Sequence, residues 1–263
     1  MSIHNESDFD IEKVSIISPC YNAADYIKET YQYLVCQTYQ NWEWIVVDDC
    51  STDHSLQELR EISNLDSRVL IFVNDVNSGA AITRNNCLNK ASGELVAFLD
   101  IDDIWSPNKL KLQVSFMKQH GYKFTYHDYC LVDADAAFIK NQLTPVNVNA
   151  ANLLKFNPFA TSSVMISRGL IESHSIRFKI HLRRRQDYLF WYDVLLKCDK
   201  AYKINGNLSS YRLIGESSLS ANKKKMAQIQ WSLYRTEFKL NIIKSIYYFC
   251  HYAIHGVQKY FLK

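Results

Sequence analysis

The residues with the clearest chemical potential are three closely spaced aspartates, Asp100, Asp102 and Asp103, which follow the apolar stretch 94–99. Carboxylates this close repel one another unless a cation or a set of hydrogen-bond donors offsets their charge. A divalent ion with oxygen ligands, Mg²⁺ or Mn²⁺, is a simple solution, and such ions commonly bridge phosphate oxygens. The alternative is a solvated acidic turn, since aspartate is common in turns.

A second acidic pair, Asp48 and Asp49, follows the apolar stretch 42–47 and precedes the Ser-Thr-Asp sequence at 51–53. Such a turn can present one carboxylate to a nucleobase or ribose while a serine or aspartate caps the next helix. Helix capping alone accounts for residues 51–53. It does not account for the doubled aspartate.

Alternating strands and helices are needed to position these side chains, and the first half of the chain has that pattern. Runs rich in β-branched and aromatic residues predict strands at 14–18, 42–47, 68–73 and 94–99. Helical patterns are predicted at 23–37, 55–63, 80–90 and 107–120, with Pro107 in the first turn of the last one. This alternation predicts a parallel sheet with helices on both faces. Ligands of such sheets lie at the carboxyl ends of the strands, where both acidic groups are expected.

The second half of the chain is less regular. Strands are predicted at 123–132, 162–167 and 201–213, and helices at 186–197 and from 222 onward. Residues 133–149 form a polar insertion with little pattern.

Composition excludes several protein classes. The 263 residues are 48% hydrophobic and 13% aromatic, which excludes a disordered chain. Neither G-x-G-x-x-G nor G-x-x-x-x-G-K-[ST] occurs, so the common glycine-rich phosphate loops are absent. The 7 cysteines never form C-x-x-C, which argues against a zinc site or a disulfide framework and favours the reducing cytoplasm. The polar N-terminus and the lack of a long apolar stretch predict neither a signal peptide nor a membrane-spanning helix.

Two ordered segments carry a family resemblance: VSIISPCYNAADYIKETYQYLVCQTYQNWEWIVVDDCSTD at 14–53 and NSGAAITRNNCLNKASGELVAFLDIDDIW at 77–105. Together they resemble family 2 glycosyltransferases with the GT-A fold, closely over about 14–111 and more loosely to about 223. The resemblance implies an α/β, Rossmann-like, mostly parallel central sheet flanked by helices. It also implies a domain at 1–221, with a nucleotide-binding half at about 14–120 and an acceptor half at about 121–221.

Roles for individual residues follow from this resemblance. It implies that a sugar-nucleotide donor is bound by Pro19, Tyr21, Asn22, Asp48, Asp49, Gly79, Ala80, Arg84, Asp100 and Ile101. It implies that Asp102, assisted by Asp103, holds Mn²⁺ or Mg²⁺ on the donor diphosphate. Such a metal neutralises the charge that develops on the leaving nucleoside diphosphate.

The family also places a catalytic base in an E-D or D-D pair that opens a helix, and this chain has Gln186-Asp187. We therefore expect Asp187 to deprotonate the acceptor hydroxyl, and the positive end of the helix to keep its carboxylate ionised. The first member of the pair is an amide, so Gln186 is expected to donate a hydrogen bond. Spacing alone leaves the alternative that Asp187 merely caps the helix.

A basic run precedes Asp187 and consists of Arg177, Lys179, His181, Arg183, Arg184 and Arg185. Guanidinium groups suit bidentate phosphate binding, so the run could grip a diphosphate on the acceptor; the alternative is a solvated basic face. The expected acceptor or diphosphate contacts are Arg185, Gln186, Trp191 and Arg212. Residues 216–220 (ESSLS) resemble the family segment that closes over the diphosphate, but without its metal-binding histidine.

Residues 222–263 form a predicted helical tail with a formal charge of +7, from eight basic side chains and Glu237. Basic amphipathic helices with interleaved aromatic residues are typical of membrane-surface or partner-binding elements. The alternatives are packing on the main domain, a homodimer contact and, more weakly, nucleic-acid binding without a recognised module.

The sequence thus predicts an inverting, metal-dependent glycosyltransferase of bacterial surface-polysaccharide assembly, of the O-antigen, capsule or teichuronic type. It would move a hexose, with glucose or galactose favoured over N-acetylhexosamine, from a UDP-sugar to an undecaprenyl-diphosphate-linked sugar at the inner face of the cell membrane. One alternative is a non-catalytic nucleotide-sugar-binding scaffold of the same fold. A D-x-D phosphatase is a poorer fit, because its nucleophile strand should come early in the chain.

Overall fold

The protein is described here from a computed structural model that covers residues 12–214 and 223–261. The expectation for residues 216–220 lies outside this range. The strands are β1 Val14–Cys20, β2 Trp42–Asp48, β3 Val69–Val73, β4 Leu95–Phe98, β5 Ile104–Trp105, β6 Phe124–Val132, β7 Phe138–Gln142, β8 Asn147–Val148, β9 Met165–Ser167 and β10 Ala201–Arg212. The helices are α1 Ala24–Val35, α2 Ser55–Leu65, α3 Ala80–Lys90, α4 Lys109–His120, α5 Ala150–Lys155, α6 Arg168–Ser173, α7 Gln186–Cys198, α8 Lys223–Thr236 and α9 Ile242–Phe261.

One half of the sheet is parallel and has the strand order β3-β2-β1-β4. The chain begins in the middle of this half, because β1 pairs with β2 on one side and with β4 on the other. The connections therefore run in opposite directions from β1, which opens a crevice at the carboxyl ends of β1 and β4. This part of the fold agrees with the strand–helix alternation of the sequence.

The other half of the sheet is mixed. It continues as β4-β9-β6-β10-β5, in which β9 is antiparallel to both β4 and β6, and β10 is parallel to β6. The predicted strand at 162–167 is shorter than expected, since its first part is a 3₁₀ turn at Thr161–Ser163. The insertion 133–149 contains β7 and β8, which its polar composition did not indicate.

Both faces of the sheet are covered, and the side chains of β2 show why this strand reads as a continuous apolar run. Trp44 and Val46 join one buried cluster, while Ile45 and Val47 join the other. Successive side chains of a strand point to opposite faces, so a strand buried on both sides has no polar alternation. Pro107 lies before α4 rather than in its first turn, since that helix begins at Lys109.

The described part of the tail packs on the main domain through one side of α8. Leu233 belongs to the same buried cluster as residues of β4 and α7. The hydroxyl of Tyr234 donates to the carbonyl oxygen of Leu154 in α5 at 2.5 Å. In the part of the chain that the structure describes, no helix is both long and apolar enough to cross a membrane.

Candidate active site

The centre of the site is a buried arginine that forms an ion pair with an acid. The Nη2 of Arg84, on α3, lies 2.6 Å from Oδ1 of Asp100, at the end of β4. Burial disfavours the charged form of Arg84, but the carboxylates of Asp100 and Asp187 outweigh it and raise the pKa of the guanidinium. Residues from the turn after β4, from α3 and from α7 thus interact electrostatically at the carboxyl edge of the sheet.

The acidic turn after β4 is held together by Asp103. Its carboxylate is 2% exposed and accepts hydrogen bonds from Ser162 Oγ at 2.5 Å and from the backbone N–H of Arg212 at 3.2 Å. Burial and the neighbouring Asp102 and Asp100 raise its pKa well above the usual range. Asp103 is therefore turned into the protein, and its expected assistance in metal binding does not agree with this position.

Arg212 clamps the same turn from the end of β10. Its Nε donates to the carbonyl oxygen of Asp102 at 3.0 Å, its Nη1 to that of Ala134 at 3.0 Å, and its Nη2 to Oε2 of Glu29 at 2.7 Å. The side chain is buried and also lies over the ring of Tyr26. All three nitrogens of the guanidinium thus have partners within the protein. The structure therefore does not support the expected contact of Arg212 with an acceptor.

Because Asp103 is turned inward and Asp100 is paired with Arg84, Asp102 is the carboxylate of this turn that is best placed to bind a metal. It is only partly buried, and burial together with the charge of Asp100 raises its pKa to about 6. Within residues 12–214 and 223–261, no three His, Cys, Asp or Glu side chains converge as a metal site. A single carboxylate beside a diphosphate is nevertheless a usual way to hold Mg²⁺, because this ion keeps water and phosphate oxygens as its other ligands.

Each member of the doubled aspartate after β2 ties down a different loop. Asp48 accepts from the backbone N–H of Ser51 at 3.0 Å and from its hydroxyl at 2.5 Å. Asp49 accepts from the backbone N–H groups of Ser78 at 2.8 Å and Gly79 at 2.7 Å, and from Asn74 Nδ2 at 2.7 Å. The pair therefore fixes the loops after β2 and β3 at the carboxyl edge of the sheet.

The loop after β1 completes that edge. Asn22 has a left-handed backbone with φ of 49°, and its Oδ1 accepts from the backbone N–H of Thr52 at 2.8 Å. The side chain of Tyr21 is exposed, and Pro19 is partly exposed beside it. The side chain of Ile101 is buried in the core, so only its backbone could face a ligand.

The predicted base lies in the first turn of α7, where a helix favours a negative charge. Arg185 precedes it in a left-handed conformation with φ of 63°. The Nη2 of Arg185 donates to the hydroxyl of Tyr252 in α9 at 3.1 Å, and its guanidinium lies 5.9 Å from the ring centre of Tyr188. Arg185 therefore connects the start of α7 to the tail, and Gln186 is buried beside it.

Trp191 has no surface for an acceptor. Its side chain is 0% exposed, and its ring packs edge-on against Phe98 with 4.8 Å between the centroids. Trp191 lies one helical turn after Asp187, and its side chain faces the sheet. The sequence pattern did not show which side of this helix faces the sheet and which faces the site. The expectation of an acceptor contact at Trp191 is therefore wrong.

The glycosyl transferase family 2 profile matches residues 15–160, more than half of the chain. The chain belongs to glycosyl transferase family 2. This agrees with the resemblance carried by residues 14–53 and 77–105, and it makes the protein a glycosyltransferase.

Relatives of this family 2 member are similar over nearly their whole length. A Bacillus subtilis (strain 168) glycosyltransferase named for teichuronic acid biosynthesis is 37% identical over 94% of this chain and 96% of its own. An Escherichia coli protein is 36% identical over 94% of each chain, and is named as a UDP-Glc:alpha-D-GlcNAc-diphosphoundecaprenol beta-1,3-glucosyltransferase.

Solved structures of similar fold come from more distant proteins. Staphylococcus aureus TarS in complex with UDP-GlcNAc superposes with a TM-score of 0.72 at 21% identity, over 92% of this chain and 71% of that one. A Pyrobaculum calidifontis mannosyltransferase in complex with GDP-Man and Mn²⁺ has a TM-score of 0.66 at 17% identity, over 90% and 69%. The GT-A fold predicted from the sequence is confirmed.

Ser162 is a site residue that sequence reasoning missed. Its hydroxyl accepts from the backbone N–H of Asp100 at 3.1 Å and donates to Asp103, so it fixes both ends of the acidic turn. It comes from a segment 59 residues further along the chain than Asp103, and no local signal distinguishes it from other serines.

Proposed function

We propose that this glycosyltransferase moves a hexose from a UDP-sugar to a sugar on undecaprenyl diphosphate, with inversion at the anomeric carbon. The observation that carries the proposal is the electrostatic coupling of Asp100, Arg84 and Asp187 at the carboxyl edge of the sheet. This coupling supports a site in which Asp100 lies toward the donor sugar and Asp187 toward the acceptor hydroxyl.

Asp187 is the proposed base. Direct displacement requires removal of the proton from the acceptor hydroxyl as the new bond forms on the face opposite the leaving group. A carboxylate in the first turn of a helix, on the same edge as the guanidinium of Arg84, is suited to accept that proton. Arg84 would orient Asp100, with which it forms an ion pair, and its positive charge would also attract Asp187.

Asp102 is the proposed metal ligand, with Asp100 toward the donor sugar or ribose. Its partly buried carboxylate beside Asp100 has an excess of negative charge that a bound Mn²⁺ or Mg²⁺ would offset. When bound, such an ion supplies Lewis-acid stabilisation of the leaving diphosphate. Pro19, Tyr21, Asn22 and the loops held by Asp48 and Asp49 are proposed to surround the nucleotide.

The names of the relatives support the proposed substrates. The Escherichia coli relative is named for UDP-glucose as donor and a lipid-diphosphate-linked GlcNAc as acceptor. UDP-glucose carries its sugar in α linkage, so a β product corresponds to inversion. We favour glucose as the donor sugar, with galactose next.

A lipid-linked acceptor places the enzyme at a membrane surface, and the outward side of α9 fits this location. Ile243, Ile246, Tyr247 and Ile254 are exposed at helical spacing, with Ile243 at 76%. Lys239, three residues before this helix, and Lys244, in its first turn, are exposed. We propose an anionic bilayer rather than a second copy as the partner of this stripe, because two tails of +7 would repel each other.

The donor proposal is tested by a thermal-shift series with UDP, GDP, CDP and dTDP, each with and without Mn²⁺. Ligand at about 100 times its Kd stabilises the native state by about 2.7 kcal/mol, which raises the midpoint measurably. We expect a shift for UDP that requires Mn²⁺ and is lost in Asp102→Asn. Asp199→Asn, at an exposed left-handed position that asparagine tolerates, is the matched control. A shift of equal size without metal, or one that survives in Asp102→Asn, would contradict the metal assignment.

A further inference from the structure

A basic groove lies between the segment before α7 and the inner side of α8. Its volume is about 390 Å³, and its lining includes His181, Arg183, Arg184, Lys225, Ile229 and Leu233. The basic side chains come from two separate parts of the chain, so their convergence was not visible as a motif. The groove is distinct from the acidic edge formed by β1, β2 and β4.

The lining combines cations with an apolar surface. Arg183 and Lys225 are exposed, while Leu233 is buried and Ile229 packs against the main core. Nε2 of His181 lies 3.0 Å from Oε1 of Glu237, so an acid lies beside this part of the lining. An anion is therefore favoured beside Arg183 and Lys225, and an attached hydrocarbon beside the partly exposed Ile229.

The groove is also close to the proposed base along the chain. Arg184 precedes Asp187 by three residues, and a fully extended segment of that length spans at most about 11 Å. The Cα atoms of Arg184 and Asp187 are therefore no more than about 11 Å apart, which is about the length of a sugar unit with its attached phosphate. Arg185 does not line the groove, because its guanidinium is bound to Tyr252 on the other side of the segment.

We propose that this groove binds the diphosphate and the first part of the hydrocarbon chain of the lipid-linked acceptor. The cations contact the phosphates, the partly exposed Ile229 contacts the hydrocarbon, and the sugar extends toward Asp187. This inference rests on the proposed function, and it replaces Arg185 by Arg183, Arg184 and Lys225 as the diphosphate contacts. The donor diphosphate is assigned to a different place, the turn that holds Asp102.

Binding is measured first without any transfer reaction, by calorimetric titration of the protein with decyl diphosphate. We expect the double variant Arg183→Gln/Lys225→Gln to raise Kd at least tenfold. The control Arg60→Gln/Lys111→Gln removes the same charge at exposed positions on α2 and α4, and should leave Kd within twofold of the wild type.

Transfer is measured next, with an N-acetylglucosaminyl diphosphate decyl ester and with the neutral decyl glycoside as acceptors. The groove variant should raise KM for the diphosphate acceptor at least tenfold, and leave KM for the UDP-sugar and for the glycoside unchanged. If the groove variant kept the wild-type Kd for decyl diphosphate and the wild-type KM for the diphosphate acceptor, the proposal would be overturned, even with a fully active enzyme.

Two further outcomes separate the alternatives. In a competition assay, labelled decyl diphosphate on the protein is displaced by phosphatidylglycerol vesicles or by unlabelled decyl diphosphate. Equal displacement by the two would assign the groove to membrane headgroups, and the proposal would be overturned. Binding of decyl diphosphate that is lost in the groove variant, in a protein that transfers no sugar, would support the groove and contradict the proposed function.

Discussion

At the scale of single residues, the acidic side chains of the site divide into buried structural groups and partly exposed ones. Asp48, Asp49 and Asp103 accept hydrogen bonds from loops and turns and are buried. Asp102 is only partly buried, and Asp187 begins a helix. The same residue type thus builds the site and supplies its chemistry, and burial distinguishes the two uses.

A buried histidine gives a testable pH dependence of stability. His127 on β6 is fully buried, and Nδ1 lies 2.8 Å from the carbonyl oxygen of Asp128, which assigns the proton to Nδ1. Burial, and then the charge of Lys109, lowers its pKa to about 3 from an ordinary value of 6.5. The unfolded chain therefore binds more protons than the native one between these values, and stability falls as the pH drops through this window.

We expect this group to reduce the free energy of unfolding by about 2 kcal/mol between pH 8 and pH 5. Urea unfolding across that range should show a shallower pH dependence for His127→Asn than for the wild type. His120→Asn, at an exposed position on α4, should keep the wild-type slope. Parallel curves for His127→Asn and the wild type would show that His127 is protonated in the native state.

At the scale of elements, the start of α7 depends on the tail helix. Arg185 adopts φ of 63°, which is uncommon for a residue with a side chain, and its guanidinium binds Tyr252 of α9. The carboxylate of Asp187 lies two residues further along. The contact therefore makes α9 a support for the proposed base.

Arg185→Gly separates the backbone from the side chain at this position, because glycine adopts positive φ without strain. We expect the melting temperature to stay the same or rise, while kcat falls about tenfold because a misplaced base loses catalytic alignment. Tyr252→Phe should lower kcat less, with KM for the UDP-sugar unchanged in both. Tyr247→Phe, on the exposed side of α9, is the control. A wild-type kcat in Arg185→Gly would show that the contact does not position the base.

The elements show how far the sequence reaches. The parallel half β3-β2-β1-β4 and the helices between its strands follow from apolar runs separated by amphipathic segments, and were predicted. Strands β5, β7 and β8 were not, because they are short or exposed and depend on pairing with β6 and β10. Likewise, the position of Asp100 was predictable from its strand, whereas the hydrogen bonds that turn Asp103 inward come from distant segments.

At the scale of the whole molecule, the chain presents an acidic edge, proposed to bind the donor, and a basic, partly apolar surface on the tail. Residues 222–263 carry +7, whereas the rest of the chain carries −4, the difference from the total of +3. Such a separation of charge orients a protein at an anionic surface.

The membrane proposal predicts cosedimentation with phosphatidylglycerol vesicles that weakens as salt rises, because screening reduces the attraction of basic side chains. Ile243→Glu/Ile246→Glu should reduce the bound fraction at least fivefold, because it removes apolar area that would be buried in the bilayer and adds negative charge. Leu65→Glu/Leu143→Glu makes the same change at exposed positions outside the tail, and should bind as the wild type does. Equal loss in both variants would indicate a general charge effect and contradict a specific role for α9.

The proposed role of Asp187 is that of the base in an inverting hexosyl transfer. It is tested most directly by incubating the enzyme with UDP-glucose, Mn²⁺ and an N-acetylglucosaminyl diphosphate lipid, and by determining the rate and the anomeric configuration of the product. We expect a β-linked product from the wild type, and at least a hundredfold lower rate for Asp187→Asn with UDP binding retained. Asp193→Asn, on the same helix and paired with Lys179, should keep most of the activity. An α-linked product, or a near wild-type rate for Asp187→Asn, would contradict the claim.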